Sequence, residues 1–246
     1  MEAEDRYSLE LETVAETYIK PHSAHVVDSK VLVHDMHKTM PFIEGPLVLE
    51  LGYGDGVWTS ELISRFGHSY VVDGSTKLLT QASRLHGDNN LTAFQSLFEH
   101  FVPPDGLLFN TIIATYVLEH VNDPVHLLRI ARSWLTRNGK ILIIVPNATS
   151  FHRELAVLMG IQKTVYDLSP SDHELGHQRV YDLPALRRDV ESAGYRITME
   201  RGLFLKILPN GMMTEFSDPL LKALVDISDR LPLEWMANLA MLIEPA

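Results

Sequence analysis

Two segments of this chain bring together residue types that can do chemistry. The first is Val48-Leu49-Glu50-Leu51-Gly52-Tyr53-Gly54-Asp55-Gly56, an apolar run that carries a carboxylate near its end and then breaks into glycines at alternate positions. A helical pattern follows from about 57 to 66. Strand, tight glycine turn and helix together offer backbone N–H groups to a nucleotide-like ligand. The second segment is Asp172-His173-Glu174-Leu175-Gly176-His177-Gln178-Arg179-Val180-Tyr181. Its imidazoles titrate in the range useful for proton transfer, and its guanidinium can clamp an anionic group. The same segment also reads as a solvated loop that Arg179 and Tyr181 tie to the body of the protein.

The glycine spacing discriminates between ligands. A dinucleotide fingerprint, G-x-G-x-x-G, needs its third glycine at 57, where the chain has Val57. The pattern Glu-x-Gly-x-Gly-x-Gly instead resembles motif I of the class I S-adenosylmethionine (SAM) methyltransferases. A second match follows in the correct order. Thr115-Tyr116-Val117-Leu118-Glu119-His120-Val121-Asn122-Asp123-Pro124 resembles the V-L-E-H-V-x-D-P segment after the fourth strand of many small-molecule methyltransferases, the ubiquinone- and sugar-modifying groups included. The resemblance covers about 45–146 well and the flanks loosely. Asn110 departs from it, at a place where relatives often carry aspartate.

The resemblance implies SAM as cofactor and names its contacts. Glu50, Gly52, Tyr53, Gly54 and Gly56 would form a turn that takes methionine and ribose. A carboxylate at 50 suits an ammonium and would repel a phosphate. Asp73, ending the second strand before Gly74 and Ser75, would accept the ribose hydroxyls; as an alternative it caps a helix, a task Ser75 also fits. Ser96, Leu97 and Phe98 stand where relatives place an adenine-binding aspartate, unless Leu97 and Phe98 are simply core. Thr115 and Tyr116, at the end of the fourth strand, complete the cofactor set.

Methyl transfer from a sulfonium requires an aligned acceptor and, for a hydroxyl, removal of its proton. The 172–181 segment resembles the G-H-x-R-x-Y element of this branch. His177 is the first choice for a base, His173 the second, and Arg179 the anion clamp. His120 is either an acceptor-facing group or a former of its own turn. His22, His25, His34, His37, His68, His86 and His126 have no distinguishing context. Asp172, His173 and His177 have metal-ligand chemistry, but Gly176 weakens the helix that would align the two imidazoles, and no metal is expected.

The bulk numbers narrow the partners. At 246 residues the chain suits one large domain with covering segments. A net charge of -11 and a pI near 5.5 argue against a nucleic-acid substrate. There is no cysteine, hence no disulfide and no thiolate metal site. No apolar run approaches a membrane span and the N-terminus is acidic, so a cytoplasmic protein with a small-molecule substrate is expected.

The elements that must position these residues follow from periodicity. Strands are expected at 47–52, 69–73, 91–95, 110–116, 140–145, 195–208 and 238–243. Helices are expected at 57–66, 75–85, 124–136, 152–159, 184–193 and 217–231, with Asn138-Gly139 stopping the third. Residues 7–40 read as helical segments broken around Pro21, from which Tyr7 and Tyr18 could reach the cofactor. The fold class is α/β: a Rossmann-like, doubly wound, mostly parallel seven-stranded sheet with an antiparallel last strand. Residues 1–44 would form a helical lid and 45–246 the SAM-binding domain, with segments at about 150–183 and 209–235 covering the substrate. Apolar residues at Met212, Met213 and Phe216 suit a lid or a homodimer contact. The resemblance implies methylation of an oxygen or nitrogen on a small molecule, preferably a sugar or natural-product intermediate. Peptide or protein N-methylation comes next. An NAD-dependent oxidoreductase, disfavoured by Val57 and Glu50, and a non-catalytic SAM-fold subunit follow.

Overall fold

The strand β1 (Val48–Leu51) is buried at every residue, as a central strand covered on both faces must be. In the computed structural model, which describes residues 3–19 and 23–246, it lies in a seven-stranded sheet. Its companions are β2 (Ser69–Asp73), β3 (Leu91–Gln95), β4 (Phe109–Thr115), β5 (Leu135–Pro146), β6 (Tyr195–Leu203) and β7 (Asn238–Pro245). The order is β3-β2-β1-β4-β5-β7-β6, and β7 alone runs antiparallel, pairing with both β5 and β6. After β1 the chain builds outward on one side, and β4 returns to the other. That reversal opens a crevice beyond the carboxyl ends of β1 and β4, where ligands of such sheets bind.

The helices that cover the sheet start on local signals. These are α3 (Val57–Phe66), α4 (Thr76–His86), α5 (Pro124–Ala131), α6 (Phe151–Leu158), α7 (Pro170–Glu174), α8 (Leu183–Ser192) and α9 (Asp218–Asp226), preceded by α1 (Ala3–Ile19) and α2 (Ser23–Thr39). Ser75, Asp123 and Asp182 accept backbone N–H bonds at the starts of α4, α5 and α8. Met36 of α2 packs with Met40 and Ile43 against Val48, Ile113 and Leu142 of the sheet. Ala15 of α1 packs against Tyr53 and Leu78. The break around Pro21 and the side chains of Tyr7, His22 and His25 lie outside the described residues. No helix among the described residues is long and apolar enough to cross a membrane.

The helix expected at 217–231 ends at Asp226 and continues as a 3-10 turn over Ile227–Arg230, and two further boundaries differ from expectation. The helix expected to reach 136 ends at Ala131, continues as a 3-10 turn over Arg132–Trp134, and gives way to β5 at Leu135. Asn138-Gly139 therefore sits inside a strand, where the register with β4 jumps between Phe109 and Thr111. A Cβ on Gly139 would stand 2.9 Å from the Phe109 carbonyl, so this glycine permits a bulge rather than stopping a helix. The strand expected to reach 208 ends at Leu203, because Phe204 turns away with φ 60°.

Candidate functional site

The crevice at the reversal point begins with the glycine turn. Gly52, Gly54 and Gly56 have φ of 79°, 55° and 78°. At Gly56 a side chain is excluded, since its Cβ would lie 2.4 Å from the Tyr53 hydroxyl. Asp73 fastens the turn to the end of β2. Its Oδ2 accepts the Tyr53 N–H at 2.8 Å and its Oδ1 accepts the Ser75 N–H at 2.7 Å. Burial raises the Asp73 pKa, opposed by those two bonds. Ser75 caps α4 and donates to Glu12 of α1 at 2.9 Å, so the cap and the ribose assignment do not compete for Asp73. Glu50 is buried, holds the Thr59 hydroxyl on Oε2, and is pushed well above the usual carboxylate range by that burial.

One continuous cavity of about 1320 Å³ runs from this turn to the second chemical segment. Glu50, Gly52, Tyr53, Gly54, Asp73, Gly74, Ser75, Leu97, Phe98, Thr115 and Tyr116 line its first half, with Leu11, Val14 and Tyr18 of α1 above them. Gly56 and Ser96 stay behind the wall. Gly56 serves as the residue that starts α3, and the Ser96 hydroxyl turns onto the adjacent Leu97 carbonyl. Ser96 is thus not where an adenine contact needs it; Leu97 and Phe98 supply that stretch of the wall.

The second half is lined by His120, His152, Arg153, Asp172, His177, Lys206 and Asn238. His177 Nδ1 lies 2.9 Å from Asp172 Oδ1, and Arg153 Nη2 donates to Asp172 Oδ2 at 2.7 Å. Burial favours a raised Asp172 pKa, but the His177 bond and the Arg153 charge prevail and hold it well below the usual range. The His120 ring meets His177 edge-on, with centroids 4.7 Å apart. Burial, aided by His177, pushes the His120 pKa down to about 4. Glu119 is fully buried and pushed up to about 7, chiefly by that burial.

The two chemical segments of the sequence are joined by hydrogen bonds. The Gln178 N–H donates to the Glu119 carbonyl at 2.8 Å, and Gln178 Nε2 donates to the His120 carbonyl. Arg179 spends its fork on the carbonyls of Leu118, Val121 and Asn122. It does not line the cavity, which corrects its expected role as an anion clamp: it locks the 118–122 turn. His173 is exposed and also outside the cavity, so the second-choice base is withdrawn from the acceptor.

Three residues were not singled out from the sequence. His152, in the first turn of α6, lines the cavity with Nδ1 unbonded; burial, then Lys206 and Arg153, push its pKa down to about 2. A histidine one turn beyond a strand's carboxyl end, on the ligand side, was the available signal. Asn238 Nδ2 bridges the Tyr116 hydroxyl at 2.9 Å and Asp35 Oδ2 at 2.8 Å. Asp35 is fully buried and raised to about 7 by that burial, and Tyr116 itself holds φ 57°, rare outside glycine.

A glycine turn fastened by a strand-end carboxylate, on a doubly wound sheet with one reversed strand, defines a class I SAM-dependent methyltransferase. Residues 28–200 match the family model described as a methyltransferase domain, and the chain belongs to that family. Solved structures agree on the fold. A SAM-dependent methyltransferase from Mesorhizobium loti superposes with TM-score 0.61 at 13% identity, covering 85% of this chain and 97% of its own. The CcbJ methyltransferase from Streptomyces caelestis gives 0.59 at 13%, covering 96% and 98%. The DhpI–S-adenosylhomocysteine (SAH) complex gives 0.56 at 16%, covering 98% and 94%. No curated protein matches the sequence. SAM is the family's cofactor, and the first half of the cavity fits it. Each Asp73 oxygen carries one backbone bond and has a lone pair left for a hydroxyl, and nothing stands within 4 Å of where a Cβ on Gly54 would be.

Proposed function

We propose that this methyltransferase acts on an oxygen or nitrogen of a small molecule held between His120, His152 and His177. The observation that carries this reading is the continuity of one cavity from the glycine turn to those imidazoles. Bound SAM would supply an electrophilic methyl group. Asp73 would take the ribose hydroxyls, Leu97 and Phe98 the adenine faces, and Glu50 the ammonium, which would draw that buried carboxyl into its charged form.

On the acceptor side, His177 is the proton acceptor. Asp172 fixes its tautomer through Nδ1 and stabilises the imidazolium that forms, while Arg153 keeps Asp172 ionised. His120, neutral above about pH 4, borders the same space. The helices of the N-terminal 44 residues act as a lid. Glu12 holds the start of α4 through Ser75 and Thr76, and Leu11 Cδ1 stands 2.9 Å from where a Cβ on Gly74 would be. The acidic chain and the covering segments at 150–183 and 209–235 favour a small acceptor, a hydroxylated metabolite in preference, over nucleic acid.

The test is calorimetric titration with SAH and SAM, followed by SAH-release assays over hydroxylated and amine metabolites. Micromolar SAH binding and turnover of a small acceptor support the reading. Turnover of peptides alone would replace it with protein methylation.

A further inference from the structure

We propose that Glu119, His120 and His177 form a divalent transition-metal site at the acceptor end of the cavity. Their ligand atoms all lie within 4.8 Å of one another. Glu119 is 0% exposed, and neither carboxylate oxygen has a hydrogen-bond partner in another residue. A buried carboxylate left in that state is costly, and a cation removes the cost by taking its lone pairs.

The His177 imidazole is prepared for the same task, and the His120 ring packs against it. Asp172 Oδ1 engages His177 Nδ1. That ring therefore has one nitrogen held by an oxygen acceptor and one lone pair to give. That is the outer-shell arrangement that fixes tautomer and raises basicity in metal-bound histidine. The 4.8 Å span exceeds the roughly 3–3.5 Å between ligand atoms sharing a cation at about 2.1 Å, so small side-chain rotations must accompany binding. Two imidazoles and one carboxylate favour zinc, cobalt, iron or manganese over calcium. Three protein ligands leave a coordination position free, and His120 and His177 both line the cavity.

What the cation would do rests on the methyl-transfer reading. An acceptor hydroxyl on the free position would lose its proton to water more readily, its oxygen would attack the methyl carbon, and the carbon–sulfur bond would break to release SAH. His177 would then act as ligand instead of base. The reading of cation binding itself does not depend on turnover.

The experiment is Co²⁺ titration of the chelator-treated full chain, followed by visible absorption, with SAH calorimetry on the same samples. The expected result is one equivalent of Co²⁺ with d–d bands, displaced by Zn²⁺. Glu119→Gln and, separately, His120→Asn should weaken it by at least about 100-fold. SAH affinity, which reports folding, should change less than about threefold. Wild type that binds SAH but no Co²⁺, or variants that bind Co²⁺ as tightly, would overturn the metal site and leave His177 as the base. Stoichiometric Co²⁺ binding without SAH binding would keep the site and sink the cofactor assignment instead.

Discussion

At the cofactor end of the cavity the key polar groups are already bonded to protein. Asp73 carries two backbone N–H bonds, Glu50 the Thr59 hydroxyl, and Ser75 both a cap and a tie to α1. At the acceptor end Glu119 Oε1 and Oε2 and His152 Nδ1 are buried without a hydrogen-bond partner, against Trp58 Nε1 on the helix that follows the glycine turn. The covering segment beside them also exposes apolar surface: Leu158 is 81% and Ile161 64% exposed. Orphaned buried groups cost about 1–3 kcal/mol each. The carboxylates of the cofactor end thus hold their shape on their own bonds, whereas the acceptor end carries the larger cost that a ligand can relieve. An acceptor or cation should therefore stabilise the fold beyond the effect of SAH alone.

The largest effect that tests this contrast is at His177. His177→Ala should lower kcat by about 10²–10⁴-fold. SAH affinity should stay within about threefold, because cofactor contacts lie at the other end. His173→Ala, at an exposed residue outside the cavity, should leave kcat within about twofold by SAH release. Equal losses in both variants would break the separation of the two ends. Next comes Asp73→Ala, which removes the fastening of the glycine turn together with the ribose acceptors. Two charge-assisted bonds at about 1.5 kcal/mol each imply SAH binding weaker by about 100-fold or more, read by calorimetry. A change below about threefold would remove Asp73 from the site.

The same contrast governs what could be read without coordinates. The glycine turn and Asp73 are legible because their requirements are local: positive φ at Gly56, a carboxylate at a strand end. The acceptor end is made by contacts far apart in sequence. Arg179 resembles an anion clamp until its fork is seen on carbonyls at Leu118, Val121 and Asn122. Glu119 is unexceptional in its motif until Gln178 docks the later segment onto it. The fold shows the same division. Leu127, Leu128, Ala131, Trp134 and Leu135 are all buried, so their apolar pattern runs unbroken through a helix, a 3-10 turn and a strand. Periodicity alone cannot place those boundaries.

A smaller effect measures the strain beside the Tyr116–Asn238 pair. Asp35 has its pKa raised from 3.8 to about 7 by burial. Between those values the folded protein binds more protons than the unfolded chain, so stability from this group is full below pH 4 and is lost as pH rises toward 7. Asp35→Asn should therefore raise stability at pH 8 by up to about 4 kcal/mol, less the burial of its amide, and change little near pH 4. Glu119, raised to about 7, and His120, lowered to about 4, push the wild-type curve in opposite senses over this window. The difference between variant and wild-type melting curves is accordingly the quantity to follow. A gain that is the same at both pH values would show that Asp35 is not strained by its charge.

The smallest effect joins the two chemical segments. Arg179 reaches three carbonyls of the 118–122 turn, a geometry that a planar fork satisfies and a single ammonium does not. Arg179→Lys keeps the charge, so any loss reports hydrogen-bond geometry rather than electrostatics. Losing one or two of those bonds should cost about 1 kcal/mol of stability, a shift of about 2–4 °C in Tm for a chain of this size. The turn carries His120, and His120 packs against His177, so kcat should fall by a few-fold while SAH affinity is retained. A loss of SAH affinity equal to that of kcat would mean that the turn supports the cofactor as much as the acceptor, and the boundary between the two ends would move to include it.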